Sequence, residues 1–186
     1  MKYLLMLSIL LSLSACFDSD DSKTEQKTPQ TTSTMKVDEN GLSLTEAILK
    51  TKYGNIIIKF YPQKAPSTTM RIMELIKSGF YNGLTFHRVI TNFVAQGGDP
   101  TASGTGGSGQ NIKAEFNDLK HIEGTVAMAR SQDPNSADSQ FYIALARLPH
   151  LDNKYTIFAQ VVKGMKLIHQ IKKGDKILSF TLNKSN

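Results

Sequence analysis

At 186 residues the chain is long enough for one domain with a substantial core and too short for two of typical size. Hydrophobic residues make up 40% and charged residues 20% of it, values ordinary for a globular protein, and the net charge is +6. Because Cys16 is the single cysteine of the sequence, an intrachain disulfide is excluded.

The N-terminal residues differ in composition from everything that follows. Lys2 gives a short positive start, and Tyr3–Leu13 is almost wholly Leu, Met, Ile and Ser. This run has the length of a signal-peptide core and falls short of the roughly 20 apolar residues that span a bilayer. It ends in LSAC, which resembles the bacterial lipobox, where the cysteine is diacylated and becomes the new N-terminus. We therefore predict a lipoprotein signal peptide over residues 1–15 and lipidation of Cys16; the alternative is an ordinary secretory signal.

Residues 16–41 are predicted to form a flexible, lipid-anchored tether. They are rich in Ser, Thr, Asp, Lys and Gln and show no hydrophobic period. The tether is acidic on balance, so the domain over residues 42–186 is more basic than the whole chain. That excess could favour anionic headgroups or acidic clients, although solvated surface is its commoner meaning.

The expected location is the bacterial cell envelope with the domain in the periplasm. Phe17, rather than Asp, after Cys16 favours the outer membrane.

Residues 42–186 carry the patterns of short strands and two helices. Strands are predicted, in chain order, over residues 44–51, 55–61, 124–129, 140–144, 155–161 and 176–182, and helices over 68–77 and 165–172. In the second strand Ile56, Ile58 and Phe60 share one face. Met70 and Met73 follow helical spacing in the first helix. Many short strands with turn signals favour a closed or sandwiched antiparallel β structure.

The stretch FHRVITNFVAQGGDP, residues 86–100, combines a cation, an aromatic ring and an amide. If it is an alternating strand, Phe86, Arg88 and Ile90 point one way and His87 the other. We interpret it as a wall that faces a ligand; the alternative is an edge strand with a solvated arginine. His87 is then expected to pack away from Arg88.

Other features of the sequence argue against nucleotide binding, metal binding and hydrolase chemistry. Gly104, Gly106 and Gly109 form a literal G-x-G-x-x-G, but Asp99-Pro100 stands where the dinucleotide fingerprint requires a strand. The glycines are therefore predicted to form a surface loop beside a site. His121 and His169 lack partners at metal-ligand spacing, so no metal site is expected. The sequence also lacks the G-x-S-x-G element of many hydrolases.

The order of motifs resembles the cyclophilin-type peptidyl-prolyl isomerases over essentially all of residues 44–183. The matching pieces are GFYNG (79–83), FHRVITNFVAQGGDP (86–100), GTVAMAR (124–130), SQFYI (139–143), LPHLDNKYTIFAQVV (148–162) and the Gly164-Met165 helix. The resemblance implies a mainly β fold, a closed eight-stranded antiparallel barrel capped by two α-helices. It also implies an enzyme that assists protein folding by accelerating rotation about X–Pro bonds.

Site residues follow from the resemblance, position by position. Arg88 matches the catalytic arginine, Phe93 an aromatic residue of the proline pocket and Gln96 the residue that supports the arginine. The substrate-binding positions are Val94, Ser131, Gln140, Tyr142, His150, Leu151 and Tyr155.

Four of these positions depart from the best-known eukaryotic pattern. Val94 replaces a Met, Ser131 an Asn, His150 a Trp and Tyr155 a His. Because the indole position is associated with cyclosporin binding in the family, we expect weak inhibition by that drug.

The expected partners are proline-containing polypeptide clients, with the membrane reached through the lipid anchor. We expect a monomer without a cofactor, metal, nucleotide or nucleic acid. The competing function is a non-catalytic binder of proline peptides, acting as a chaperone or an adhesin lipoprotein. The combination of Arg88, Phe93 and Gln96 favours the enzyme, because a binder has no need of the cation.

Overall fold

The computed structural model of the chain describes residues 46–183. The predicted signal peptide, Cys16 and the tether lie outside the described residues. The strands are β1 (Glu46–Thr51), β2 (Gly54–Phe60), β3 (Arg88–Ile90), β4 (Val94–Gly97), β5 (Thr125–Met128), β6 (Phe141–Ala144), β7 (Ile157–Lys163) and β8 (Ser179–Asn183). The helices are α1 (Pro66–Lys77) and α2 (Met165–Ile168). Two 3-10 turns, Pro134–Ser136 and Pro149–Leu151, were not predicted.

The eight strands form one antiparallel sheet in the order β3-β4-β6-β5-β7-β2-β1-β8. It is a curled half-barrel in which β3 and β8 are the end strands. The segments that precede these two strands join its ends. Thr85 bridges Lys176, and the Phe86 N–H donates to the Asp175 carbonyl at 2.8 Å. The predicted mainly β fold of eight antiparallel strands with two helices is confirmed, and irregular pairing rather than a regular ladder links its ends.

The larger cluster of buried residues joins the inner faces of the strands to the buried face of α1. Ile56, Ile58 and Phe60 on β2 are fully buried, as their alternation predicts. On α1 the buried face holds Ile72, Met73, Leu75 and Ile76 together with Thr68 and Thr69. Met70 is 45% exposed, although it shares the helical spacing of the buried Met73. At about 100° per residue, Met70 falls on the side opposite the helix face that packs against β7 and β8.

Helix α2 is shorter than the predicted 165–172. The His169 N–H still donates to the Met165 carbonyl, four residues back, at 3.1 Å. The Gln170 and Ile171 N–H groups instead donate three residues back, to Leu167 and Ile168. This tightening ends the α-helix at Ile168 and continues it as turns.

Candidate functional site

A hairpin of β3 and β4 places the predicted arginine and glutamine opposite each other. Arg88 pairs with Gln96 in the ladder, and residues directly opposite in an antiparallel pair share a face. The Arg88 Nη1 group donates to Gln96 Oε1 at 3.2 Å. The turn between the strands brings the Phe93 ring to 5.3 Å from the Arg88 guanidinium carbon. The hairpin therefore gathers the three residues predicted to be catalytic.

The sequence predicts that the side chains of Phe86, Arg88 and Ile90 share one face of a strand. This prediction is wrong for Phe86. Phe86 and His87 precede β3 and are not part of it. Phe86 is fully buried, whereas Arg88 and Ile90 are exposed. The reason is that Phe86 joins the sheet's ends through its backbone and fills the core, so the alternation begins only at Arg88.

A relay of amide side chains extends from the arginine to the glycine loop. Gln96 Nε2 donates to Gln140 Oε1 at 2.9 Å, and Gln140 Nε2 donates to the Gly106 carbonyl at 2.8 Å. Each amide is thus used at both ends, which fixes its orientation. The direction of the Arg88 guanidinium therefore depends on a loop distant in sequence.

A small cavity of about 180 Å³ opens beside Arg88. Its lining combines apolar and aromatic side chains with two guanidinium groups. The lining residues are Arg88, Phe93, Val94, Gln96, Ala129, Arg130, Tyr142, Leu151 and Tyr155. We call this space the first cavity. Seven of the ten predicted catalytic and substrate-binding residues line it.

A series of hydrogen bonds through His121 connects the Tyr142 hydroxyl to Asp152. The His121 Nε2 atom lies 2.9 Å from the Tyr142 hydroxyl, and Nδ1 lies 3.1 Å from Asp152 Oδ1. Burial lowers the pKa of His121, so the ring is neutral at pH 7. Nδ1–H then donates to the carboxylate, and Nε2 accepts from the hydroxyl. A hydrogen bond from Arg147 holds the pKa of Asp152 well below its usual range.

His150 lies against the first cavity rather than in it. It is exposed, and its ring stacks on Phe93 with centroids 5.9 Å apart and planes 11° from parallel. The 3-10 turn Pro149–Leu151 carries both His150 and the lining residue Leu151. His150 therefore supports the outer face of the Phe93 ring.

A second cavity of about 300 Å³ adjoins the first. Gln96, Ala129 and Arg130 line both cavities. Ser131 and Gln140 line the second cavity and not the first. Sequence reasoning missed Arg130, although it is the last residue of the GTVAMAR motif and directly precedes Ser131.

The glycine loop forms one side of the second cavity, held by two carboxylates. Asp99 accepts from the N–H groups of Thr101 at 2.7 Å and Gly104 at 2.6 Å. Burial opposes its charge, but hydrogen bonds from Thr101, Gly104 and Gly106 lower the pKa of Asp99 to about 2. A Cβ on Gly106 would lie 2.1 Å from Asp99 Oδ1, so any larger residue there would displace the Asp99 carboxylate from its hydrogen bonds. Asp138 accepts from Ser108, Gly109 and Gln110.

The remaining histidines have structural surroundings. His87 is buried, and burial lowers its pKa. His169 pairs with Glu123 on the surface. Over residues 46–183 there is no cluster of three or more His, Cys, Asp or Glu side chains that could bind a metal. Within the same residues, no helix has the length and apolar character needed to cross a membrane.

Comparison with known proteins places this geometry in one family. The profile described as "Cyclophilin type peptidyl-prolyl cis-trans isomerase/CLD" matches residues 47–183. A peptidyl-prolyl cis-trans isomerase of Synechococcus elongatus is 44% identical over 138 residues, covering 73% of this chain and 94% of the relative. One from Helicobacter pylori is 41% identical over 157 residues, covering 82% and 96%.

Solved structures give the same result. A cyclophilin-type isomerase of Cryptosporidium parvum matches with a TM-score of 0.72 and 27% identity, covering 77% of this chain and 99% of that one. The same protein crystallised in the presence of the dipeptide Ala-Pro matches with a TM-score of 0.70 and 27% identity, covering 75% and 99%.

Proposed function

The chain belongs to the cyclophilin-type peptidyl-prolyl cis-trans isomerases, and we propose that it accelerates X–Pro rotation through a hydrogen bond from Arg88 to the twisted amide. The observation that carries this mechanism is the position of Arg88 at the edge of the first cavity, directed by Gln96. Proline-containing peptides are its proposed substrates. The Ala-Pro dipeptide present with the Cryptosporidium parvum neighbour supports that class.

The reaction needs no covalent step. The amide resists rotation because the nitrogen lone pair is delocalised into the carbonyl, giving a barrier of about 18–20 kcal/mol. Uncatalysed exchange takes tens to hundreds of seconds. Millisecond turnover requires about a 10⁴- to 10⁵-fold acceleration, or roughly 5.5–7 kcal/mol off the barrier. The site must therefore bind the twisted amide more tightly than either planar form.

Arg88 has the donors for this task. Among residues 46–183 its one hydrogen-bond partner is Gln96, so its other N–H groups are available to a peptide. A twisted prolyl nitrogen is pyramidal and accepts a hydrogen bond that the planar nitrogen cannot. A charge-assisted bond is worth about 1.5–3 kcal/mol. The remainder of the reduction must come from desolvation and from restraint of the peptide.

The first cavity is the proposed pocket for the proline ring. Phe93, Val94 and Leu151 offer apolar surface on its sides, and Tyr142 is fixed from below by His121. A rigid pocket holds the ring while the preceding carbonyl swings. The peptide's flanks would then lie along Gln140, Ser131 and the second cavity.

Location is a separate part of the proposal. The LSAC ending at Cys16 supports a lipid-anchored protein of the bacterial envelope, with the domain in the periplasm and the outer membrane favoured. Its clients would be exported or envelope proteins, whose folding it assists as a chaperone-like catalyst.

The test compares the full chain with Arg88→Ala in a protease-coupled proline-isomerisation assay. Arg88→Ala is expected to lower kcat/KM by about 10- to 150-fold, the loss of roughly 1.5–3 kcal/mol of transition-state stabilisation. Peptide affinity, measured by calorimetry, should change far less because the planar amide does not use the bond. Lys163→Ala, which removes an exposed positive charge that lines neither cavity, is the control.

Two outcomes would contradict the proposal. Near wild-type turnover in Arg88→Ala would exclude Arg88 as the catalytic group. Peptide binding by the wild type without any acceleration would instead favour the non-catalytic binder.

A further inference from the structure

Arg130 occupies a fixed position on the boundary between the two cavities. It follows β5 and lines both of them. Its Nε and Nη2 groups donate to the Lys154 carbonyl at 3.3 and 2.9 Å. Its Nη1 group donates to the carbonyls of Ser131 at 2.8 Å and Gln132 at 3.1 Å. All three nitrogens of the guanidinium are thus held by backbone carbonyls.

Aromatic rings further restrict the guanidinium of Arg130. Its carbon lies 4.7 Å from the Tyr155 ring centroid and 5.8 Å from that of Phe116. Carbonyls and rings orient a guanidinium without neutralising its charge. In the described part of the chain, no ion pair includes Arg130 or Arg88. The positive charge of Arg130 is therefore fixed in place and carries no counter-ion from residues 46–183.

All the charged side chains that line the first cavity are therefore positive. Arg88 and Arg130 both line it, and none of its lining residues is Asp or Glu. The second cavity differs, because Asp138 lines it. Asp138 is acidic, and its carboxylate accepts hydrogen bonds from the glycine loop. A client carboxylate would be attracted beside the first cavity and opposed deeper in the second.

We propose that Arg130 determines specificity, favouring clients in which an acidic side chain directly flanks the proline. The inference rests on the proposed function, because it assumes that the proline ring occupies the first cavity. A flanking Asp or Glu would then lie close to the Arg130 guanidinium. Because the fold already holds this side chain in place, binding would not have to immobilise it. A flanking Lys or Arg would meet two like charges.

A purely structural role for Arg130 has a different consequence. Its hydrogen bonds connect the 131–132 segment to Lys154, so losing it could disturb both cavities. That disturbance would slow every peptide alike. A charge role acts on acidic, neutral and basic peptides unequally, so the ratio between peptides separates the two roles.

The experiment measures kcat/KM by exchange NMR for matched peptides with Glu, Gln or Lys just before or just after a single proline. NMR is used because a coupled protease would itself sense the flanking charge. For the wild type, Glu is expected to exceed Lys by about threefold to tenfold at one or both positions, as for partly exposed charge pairs. The ratio should shrink as salt rises from about 0.05 to 0.5 M.

Variants assign the effect to the charge. Arg130→Gln should bring the Glu-to-Lys ratio toward one, leaving only the contribution of Arg88. Arg130→Lys keeps the positive charge but lacks the planar guanidinium, and it should retain much of the Glu-to-Lys ratio. Lys163→Gln removes an exposed positive charge that lines neither cavity and should retain all of it. Each ratio is taken within one enzyme, so a change in overall rate or in folded fraction cancels.

The outcomes separate this inference from the proposed function. A wild type that does not accelerate even the Gln peptide would overturn the proposed function itself. Acceleration of all three peptides with equal kcat/KM would overturn only the acidic preference. A preference that persists in Arg130→Gln, or is lost equally in Arg130→Lys, would overturn the role of the Arg130 charge.

Discussion

Gln140 shows how a single residue can matter without touching the reacting bond. It connects Gln96, and through it Arg88, to the Gly106 carbonyl. Gly106 in turn lies against Asp99, whose carboxylate a larger residue at 106 would have to displace. The glycines of the G-x-G-x-x-G segment, which resembles a nucleotide motif, thus support Arg88, the proposed catalytic group. Their meaning is set by the residues around them.

His121 makes the stability of the domain depend on pH. Burial lowers its pKa below 6.5, whereas the unfolded chain has the ordinary value. Between the two pKa values the unfolded state binds more protons, so the free energy of unfolding falls as the pH drops below about 6.5. His87 has a pKa shifted in the same direction and adds to the effect. Carboxylates such as Asp99 lose their charge only below about pH 4 and lie outside this window.

The expected result is a wild-type free energy of unfolding that declines between about pH 7.5 and 5.5. His121→Gln should be less stable than wild type at the upper limit, because Tyr142 and Asp152 lose their partner, but its decline should be shallower. Urea unfolding at each pH measures both quantities. His169→Gln, on the surface beside Glu123, serves as the control. An unchanged slope in His121→Gln would show that this ring does not govern the decline.

At the scale of elements, α1 depends on a residue that lies far along the chain. The helix has no side-chain cap of its own at Ala65. The Glu115 carboxylate supplies one, accepting from the Ser67 N–H at 2.9 Å and the Thr68 N–H at 2.8 Å. Burial opposes its charge, but these bonds hold the pKa of Glu115 below its usual range. An acidic group is also favoured at a helix N-terminus by the helix dipole.

Glu115→Ala is therefore expected to cost about 1–2 kcal/mol in the free energy of unfolding, the usual price of losing a helix cap. Glu115→Gln, which retains one acceptor but not the charge, should cost about half as much. Glu74→Ala, on the exposed side of α1, should cost about 0.5 kcal/mol or less. Urea titrations with unchanged m-values would measure these differences. A loss in Glu115→Ala no larger than that in Glu74→Ala would contradict the capping role.

What could be predicted from the sequence was local or came from the family motifs. The alternation of Ile56, Ile58 and Phe60 is a two-residue period, so it identified β2 and its buried face. The exposure of Met70 was not predictable, because α1 has apolar residues on more than one side and its packing partners choose between them. Likewise, the hairpin between β3 and β4 contains Asn92 at φ 57°, a left-handed turn that the sequence did not reveal.

The site shows the same division. Arg88, Phe93 and Gln96 lie within one motif, and the structure brings them together. The support of Tyr142 by His121 and Asp152 was missed, because His121 and Asp152 are 31 positions apart and neither belongs to a recognisable spacing. Arg130 was missed because the carbonyls and rings that hold it come from separate segments.

For the whole molecule, the anchor at Cys16 remains a prediction. In a bacterium that acylates lipoproteins, the full chain should incorporate labelled palmitate and fractionate with membranes. Cys16→Ala should lose the label and the membrane association, because the chain has no other cysteine to acylate. Arg88→Ala is the control, since it leaves the LSAC ending intact. Labelling of Cys16→Ala, or an unlabelled wild type, would contradict the lipoprotein assignment.

The pairing of the first strand with the last has a consequence for how the chain can be cut and rejoined. β1 runs antiparallel to β8, with Glu46 opposite Asn183. The two ends of the described domain are therefore neighbours in one ladder, although the whole sequence of the domain lies between them. A short linker joining them, with new ends opened in an exposed turn, should give a circular permutant with the same sheet order. Because the two ends of the domain are adjacent in space, the sheet order does not depend on which loop contains the chain termini.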